Sequence, residues 1–274
     1  MITLLHYEFI QNAIYSSILA SFACGIIGSL IIVNRMTFLA GGIAHANYGG
    51  IGLAFYLGLP LLPVSTFFSL FISSILAFIT YKERERVDAL IGVMWAMGMA
   101  LGIILIDITP GYNPDIMSFL FGSIMAVTHF DLYIIIVLDL CIISFILVCY
   151  RAILLLSFDS EYAFTRGIST RFLYFLMLNM IGLSVVIVMR TVGLILVIAL
   201  LTIPSYLAEK LSISFFKMML ISIGLCLFFC LTGIYISYYF DITSGAAIIA
   251  VASIVFLIFY FFKSCKFIKV LNIL

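Results

Sequence analysis

Long apolar runs separated by short polar links set the pattern of this chain from residue 9 to residue 262. Most runs are about 17–25 residues long, the length that crosses a hydrocarbon layer of about 30 Å as a helix. In lipid a lone segment must be helical, because it has to satisfy its own backbone polar groups. The pattern predicts spans at 9–33, 37–59, 61–81, 87–107, 131–150, 172–189, 192–209, 214–238 and 243–262, a count of about eight to nine. Short links join them, among them "NRM", "GLP", "KERER", "RT" and "DIT", with longer loops at 108–130 and 151–171. The stretch 115–127, "DIMSFLFGSIMAV", is apolar but short for a crossing, and reads as a re-entrant or surface helix. The predicted fold class is all-α, one polytopic transmembrane domain over 1–274.

Composition agrees with the pattern. Hydrophobic residues make up 66% of the chain and charged ones 9%, where a soluble domain carries roughly a quarter charged. Lys and Arg give the orientation. With loop 151–171 and the C-terminus inside and the N-terminus outside, 12 of the 13 basic residues face the cytoplasm and only Arg190 faces out, a strong positive-inside bias. A tenth crossing at 115–127 would export Arg35, Lys82, Arg84 and Arg86, so that segment is expected to stay on the outer side with Asp115 and Asp241. The six cysteines form no CxxC pair and read as small packing residues. No removable leader is expected, since Met1 to Phe9 holds no Lys or Arg. The basic residues lie in links between spans, which gives no footprint for nucleic acid; the bilayer is the surrounding partner.

Candidate chemistry starts at "RMTFLAGGIAHANYGGIGLAF". On one continuous helix Gly41, His45, Gly49 and Gly52 share a face, grooved and centred on His45. Such a face either packs a neighbouring helix closely or borders a pathway. His45 is either hydrogen-bonded between helices or a ligand for a divalent transition metal, since an ionisable group at membrane depth is costly and neutral imidazole binds such metals. Counted from Thr37, His45 lies about 12 Å into the membrane. Asp139 lies at a comparable depth from the other side and is the acidic residue nearest the middle of a span. It reads either as an inter-helix hydrogen bond or as a second pathway group.

The loop "LSFDSEYAFTRGIS" spells a two-turn helix: Asp159 as N-cap, Glu161 in the first turn, Arg166 in the last and Gly167 just past it. It is either a docking element for a soluble partner or a structured loop. GxxxxGK[ST], HExxH, GxSxG and CxxC are all missing, so no ATP hydrolysis or catalytic zinc site is expected in the chain itself.

Six pieces in order, "FIQNAIYSSILASFACGIIGSLIIVNRMTFL", "DALIGVMWAMGMALG", "PDIMSFLFGSIMAV", "FDSEYAFTRGI", "RTVGLILVIALLTIPSYLA" and "YYFDITSG", resemble the membrane permease subunits of ABC importers for zinc, manganese or iron. The resemblance implies a homodimeric permease in a bacterial or archaeal cytoplasmic (inner) membrane. It would receive a divalent metal from an extracytoplasmic binding protein and be driven by a separate ATPase subunit that holds the ATP. The chain itself would be no enzyme and hold no permanent cofactor. It also implies that Asp159, Glu161, Ala163 and Gly167 couple to the ATPase. His45 matches the histidine of the family's metal pathway, and Gly41 stands where the family carries an Asp. One carboxylate fewer favours a nitrogen-bearing, softer site and hence zinc. The competing expectations are an ABC permease for a metal chelate or corrin, which leaves His45 without a role, and an intramembrane enzyme, which would need GxGD or GxSG.

Overall fold

The computed structural model describes residues 8–82, 86–110, 120–122 and 124–271. Its helices are α1 (Glu8–Val33), α2 (Thr37–Ala46), α3 (Tyr48–Leu57), α4 (Leu61–Lys82), α5 (Val87–Asp107), α6 (His129–Phe158), α7 (Ser160–Thr165), α8 (Thr170–Val192), α9 (Val197–Leu211), α10 (Phe215–Phe240) and α11 (Ser244–Leu271), with a 3-10 turn at Ile124–Ala126. Among the described residues there is no strand.

Seven of these helices, α1, α4, α5, α6, α8, α10 and α11, are long and apolar enough to cross a membrane. The other two predicted spans are corrected. The run 37–59 is two ten-residue helices broken at Asn47, where the Gly50 amide donates to the Asn47 carbonyl at 2.9 Å in a 3-10 bond. Asn47 and the glycines at 49, 50 and 52 are weak helix formers, so apolarity continues where the helix does not. The run 192–209 begins later, at Val197, because α8 continues through the supposed link "RT" to Val192 and ends at Gly193, φ 93°.

Helices α1 and α8 are buried over most of their length, and the others surround them. In lipid no hydrophobic drive holds helices together, so small residues and hydrogen bonds do. The α4–α8 seam shows this. Ser69 donates to the Gly182 carbonyl (2.9 Å), Ser73 and Ser74 donate to Asn179 Oδ1 (3.0 Å each), and the Tyr81 and Thr170 hydroxyls pair at 3.1 Å. These pairs make α4 and α8 antiparallel.

Helices α2 and α3 run parallel to α5, with Gly42 against Ile91, Ala46 against Gly98 and Gly52 against Gly102. The end of α3, the start of α4, the end of α5 and the end of α8 therefore share one end of the bundle. The start of α6 is there too, tied to α8 by Arg190 and Asp131. The chain leaves α5 and enters α6 at the same end; the helix expected over 115–127 lies outside the described residues except at 120–122 and 124–127. Helix α7 follows the far end of α6, and Arg35, Arg86, Arg151, Arg171, Lys210 and Lys217 lie at that end.

Arg190, expected in an exposed link, is a buried residue of α8. Its guanidinium donates to Asp131 Oδ2 (2.9 and 2.7 Å) and to the Ala126 carbonyl, with the two side chains only 7% and 13% exposed. Thr128 and Asp131 form a capping box that starts α6. The segment after Leu120 is pinned further by Asn12 donating to the Val127 carbonyl (3.2 Å), Ile195 to the Leu120 carbonyl (3.3 Å) and Ile124 to Ser244 Oγ (3.0 Å). Asp241 follows α10 at this same end, with φ 54°. Asp115 lies outside the described residues.

Candidate functional site

His45 sits in the last turn of α2, two residues before the break. Its ring lies flat on the indole of Trp95 from α5, centroids 4.1 Å apart and planes 2° apart, with both side chains half-buried. The Trp95 indole N–H donates to Met99 Sδ one turn on (2.9 Å). No described residue hydrogen-bonds a His45 nitrogen. Stacking fixes the plane of the imidazole while leaving its nitrogens, which lie in that plane, uncommitted. The hydrogen bond a purely structural histidine would make is missing among the described residues. Asn47, fully buried, turns instead to α8, where its amide donates to Met189 Sδ at 3.6 Å and its carbonyl oxygen has no partner.

The glycine face divides at the break. Gly49 and Gly52 do not border a groove: a Cβ at Gly49 would lie 2.7 Å from the Phe68 ring, and one at Gly52 would lie 2.5 Å from the Gly102 carbonyl oxygen. They are close-packing positions that let α5 approach. Gly41, one turn before His45, differs. A Cβ there would lie 2.8 Å from Ile198 Cδ1 and 3.4 Å from its Cγ1, and among the described residues it would meet no other atom outside its own helix within 4 Å. Ile198 stands in the first turn of α9 and is half-buried.

Asp139 is 3% exposed, and neither carboxylate oxygen has a hydrogen-bond partner. It lies on α6, which packs chiefly on α1 and α8, and comes within electrostatic range of Cys24. His45 is on α2, which packs on α5, α8 and α9, so α8 borders both helices while Trp95 of α5 faces the imidazole itself. No hydrogen bond joins the two residues. Cys24, Cys226 and Cys230 are buried between α1 and α10, while Cys141 is exposed and Cys265 lies outside the described side chains. Among the described residues no three His, Cys, Asp or Glu side chains gather as a metal cage.

Helix α7 is built as its caps require. Asp159 Oδ1 accepts from the amides of Glu161 (3.1 Å) and Tyr162 (2.9 Å). At the other end the Gly167 amide donates to the Phe164 carbonyl (3.0 Å) and the Ile168 amide to the Ala163 carbonyl (3.1 Å), the two bonds of a Schellman stop. Gly167 adopts φ 79°, where a side chain is strained. Ala163 is buried beneath the helix; Phe158, Tyr162 and Phe164 are exposed, and Arg166 folds its guanidinium onto the Tyr162 hydroxyl (2.8 and 2.6 Å).

The model of the ABC 3 transport family matches residues 6–263. The chain belongs to that family. It is 47% identical to an uncharacterized membrane protein of Synechocystis over 96% of this chain and 94% of the other. It is 32% identical to the manganese transport system membrane protein MntC of Listeria innocua over 94% and 92%. Among solved structures it resembles PsaBC from Streptococcus pneumoniae in complex with Fab, with a TM-score of 0.84, 30% identity, and 93% and 92% of the two chains covered. The family is the one the six sequence pieces pointed to. Trp95, Met99 and Ile198 were not singled out by the sequence as site residues; Trp95, the one tryptophan, stood within a quoted motif and was the available signal.

Proposed function

We propose that this chain is the membrane-spanning permease of an ABC importer that carries a divalent transition metal into the cell, with His45 as the ligand the ion meets inside the membrane. The observation that supports this most is the state of His45: an imidazole within a membrane segment, oriented by Trp95, with no hydrogen bond to either nitrogen from the described residues. An ionisable group at that depth is expensive unless it serves a pathway. A lone imidazole outside any cage suits transport, because the site must release what it captures. We assign the ligand role to His45; Asp139 is on α6, which packs chiefly on α1 and α8, and no hydrogen bond joins it to His45.

The permease works as two copies with two ATPase subunits. ATP binding and hydrolysis by those partners drive the helices between outward and inward states, through the α7 surface around Asp159, Glu161, Ala163 and Gly167. The α7 end is cytoplasmic, in keeping with the basic residues gathered there. The N-terminus lies outside and the C-terminus inside a bacterial or archaeal inner membrane. An extracytoplasmic metal-binding protein docks at the Arg190 end, beside Asp241. Zinc is the favoured cargo, because imidazole without a carboxylate suits zinc better than manganese. Manganese is the second reading, favoured by the names of curated relatives such as that of Listeria innocua.

ATP-dependent uptake into proteoliposomes holding the permease, its ATPase and its binding protein tests the proposal. Labelled zinc should accumulate and be displaced better by unlabelled zinc than by manganese or ferrous iron. Accumulation of a metal chelate or corrin with no uptake of the free ions would overturn it.

A further inference from the structure

We infer that Ile198 is a specificity-determining residue: it fills, with an aliphatic side chain, the space one turn from His45 that a residue at position 41 would reach, and so keeps the site free of carboxylate. The inference rests on His45 being the transport ligand.

Positions 41 and 45 are one helical turn apart, so side chains there are neighbours. Position 41 has none. Among the described residues, the direction its Cβ would take is occupied by Ile198, with Cδ1 at 2.8 Å and Cγ1 at 3.4 Å. One turn beyond Ile198 on α9, the Thr202 hydroxyl donates its proton to the Ile198 carbonyl at 2.8 Å, and what it keeps is a neutral oxygen, not a carboxylate. The ring face of His45 is covered by the Trp95 indole, whose N–H is given to Met99 Sδ. Among the described residues, no carboxylate gathers with the His45 imidazole, and the space one turn away is filled by an aliphatic side chain. A hard, oxygen-preferring ion such as manganese gains least from such a site, and zinc, which binds imidazole well, gains most.

The contact also predicts coupling. Cδ1 is the mobile tip of Ile198, so a rotamer change admits a methyl group at position 41. A carboxylate reaching past that methyl would lie against the rest of the isoleucine, and setting a charge against an apolar wall is unfavourable. Shortening Ile198 removes the wall. The two positions should therefore act as a pair, as residues in contact do.

The test compares wild type, Gly41→Asp, Ile198→Ala and the Gly41→Asp/Ile198→Ala double variant in the reconstituted importer, reading the manganese-to-zinc uptake ratio. The double variant should raise the ratio by about tenfold and each single variant by less than about threefold, a coupling of the size contacting pairs show. The midpoint of thermal unfolding should fall in Gly41→Asp and recover in the double variant. Ile198→Asp brings a carboxylate into the same space from α9 with Gly41 intact, and should raise the ratio even where Gly41→Asp fails to assemble. A ratio raised equally by Gly41→Asp alone and by the double variant, or unchanged in Ile198→Asp, would overturn the inference. Full uptake by His45→Ala would instead defeat the ligand reading, while the unfolding midpoints would still report the 41–198 contact.

Discussion

Because the chain has one tryptophan and it lies 4.1 Å from the His45 ring, the intrinsic fluorescence of the purified permease reports on the candidate ligand. Zinc binding at His45 alters the ring stacked on the indole. Titrating zinc should therefore change Trp95 emission in the wild type, and His45→Ala should shift the resting emission and abolish the response. A zinc response retained in His45→Ala would place the ion elsewhere. His45 was visible in the sequence because an ionisable residue in an apolar run is conspicuous without knowledge of its neighbours. Trp95 and Ile198 were not, because their importance lies in which helices bring them to α2. The same limit made Gly41, Gly49 and Gly52 look alike. Only the break at Asn47 and the approach of α5 separate two packing glycines from the one that faces Ile198.

Two short elements hold the ends of the bundle, and each carries a prediction. At the α7 end, Gly167→Val forces a β-branched residue into φ 79°, which costs about 1–2 kcal/mol. Glu161→Lys puts a positive charge at the start of α7, where the helix dipole disfavours it. Both variants should fold and reach the membrane but retain less ATPase in a pull-down and transport less; undiminished retention and uptake in both would remove α7 from the coupling surface. At the other end, Asp131→Ala leaves Arg190 charged among buried groups and should destabilise the protein by about 3–5 kcal/mol, while an Asp131→Leu/Arg190→Met pair recovers most of the loss. Thermal unfolding in detergent reads this, and a double variant no more stable than Asp131→Ala would refute it. The limits of α7 were legible, since caps are local chemistry and Asp159 and Gly167 act within a few residues. The Arg190–Asp131 pair was not. A charge after an apolar run reads as a link, and its distant partner on α6 is set by topology alone.

At the scale of the whole molecule, apolar run length predicted membrane crossing well and helix continuity poorly. Seven spans are continuous helices. The run 37–59 stays apolar across Asn47, and the pattern has no signal for a break that apolar glycines flank. The start of α9 was hidden because α8 continues past Arg190, whose charge is matched inside the bundle. The charge bias called for α5 to end and α6 to begin on the same side, and they do. The resulting picture is a bundle pinned at one end by Arg190, carrying α7 at the other, with His45 between them on a broken helix. Its central claim is that this imidazole binds the transported ion. The most direct test is zinc uptake by proteoliposomes containing His45→Gln beside wild type, each with its ATPase and binding protein and each shown to be assembled. An amide can replace a structural hydrogen bond but is a poor zinc ligand, so the variant should assemble, retain its ATPase and lose most zinc uptake. Wild-type uptake by the assembled His45→Gln permease would contradict the account.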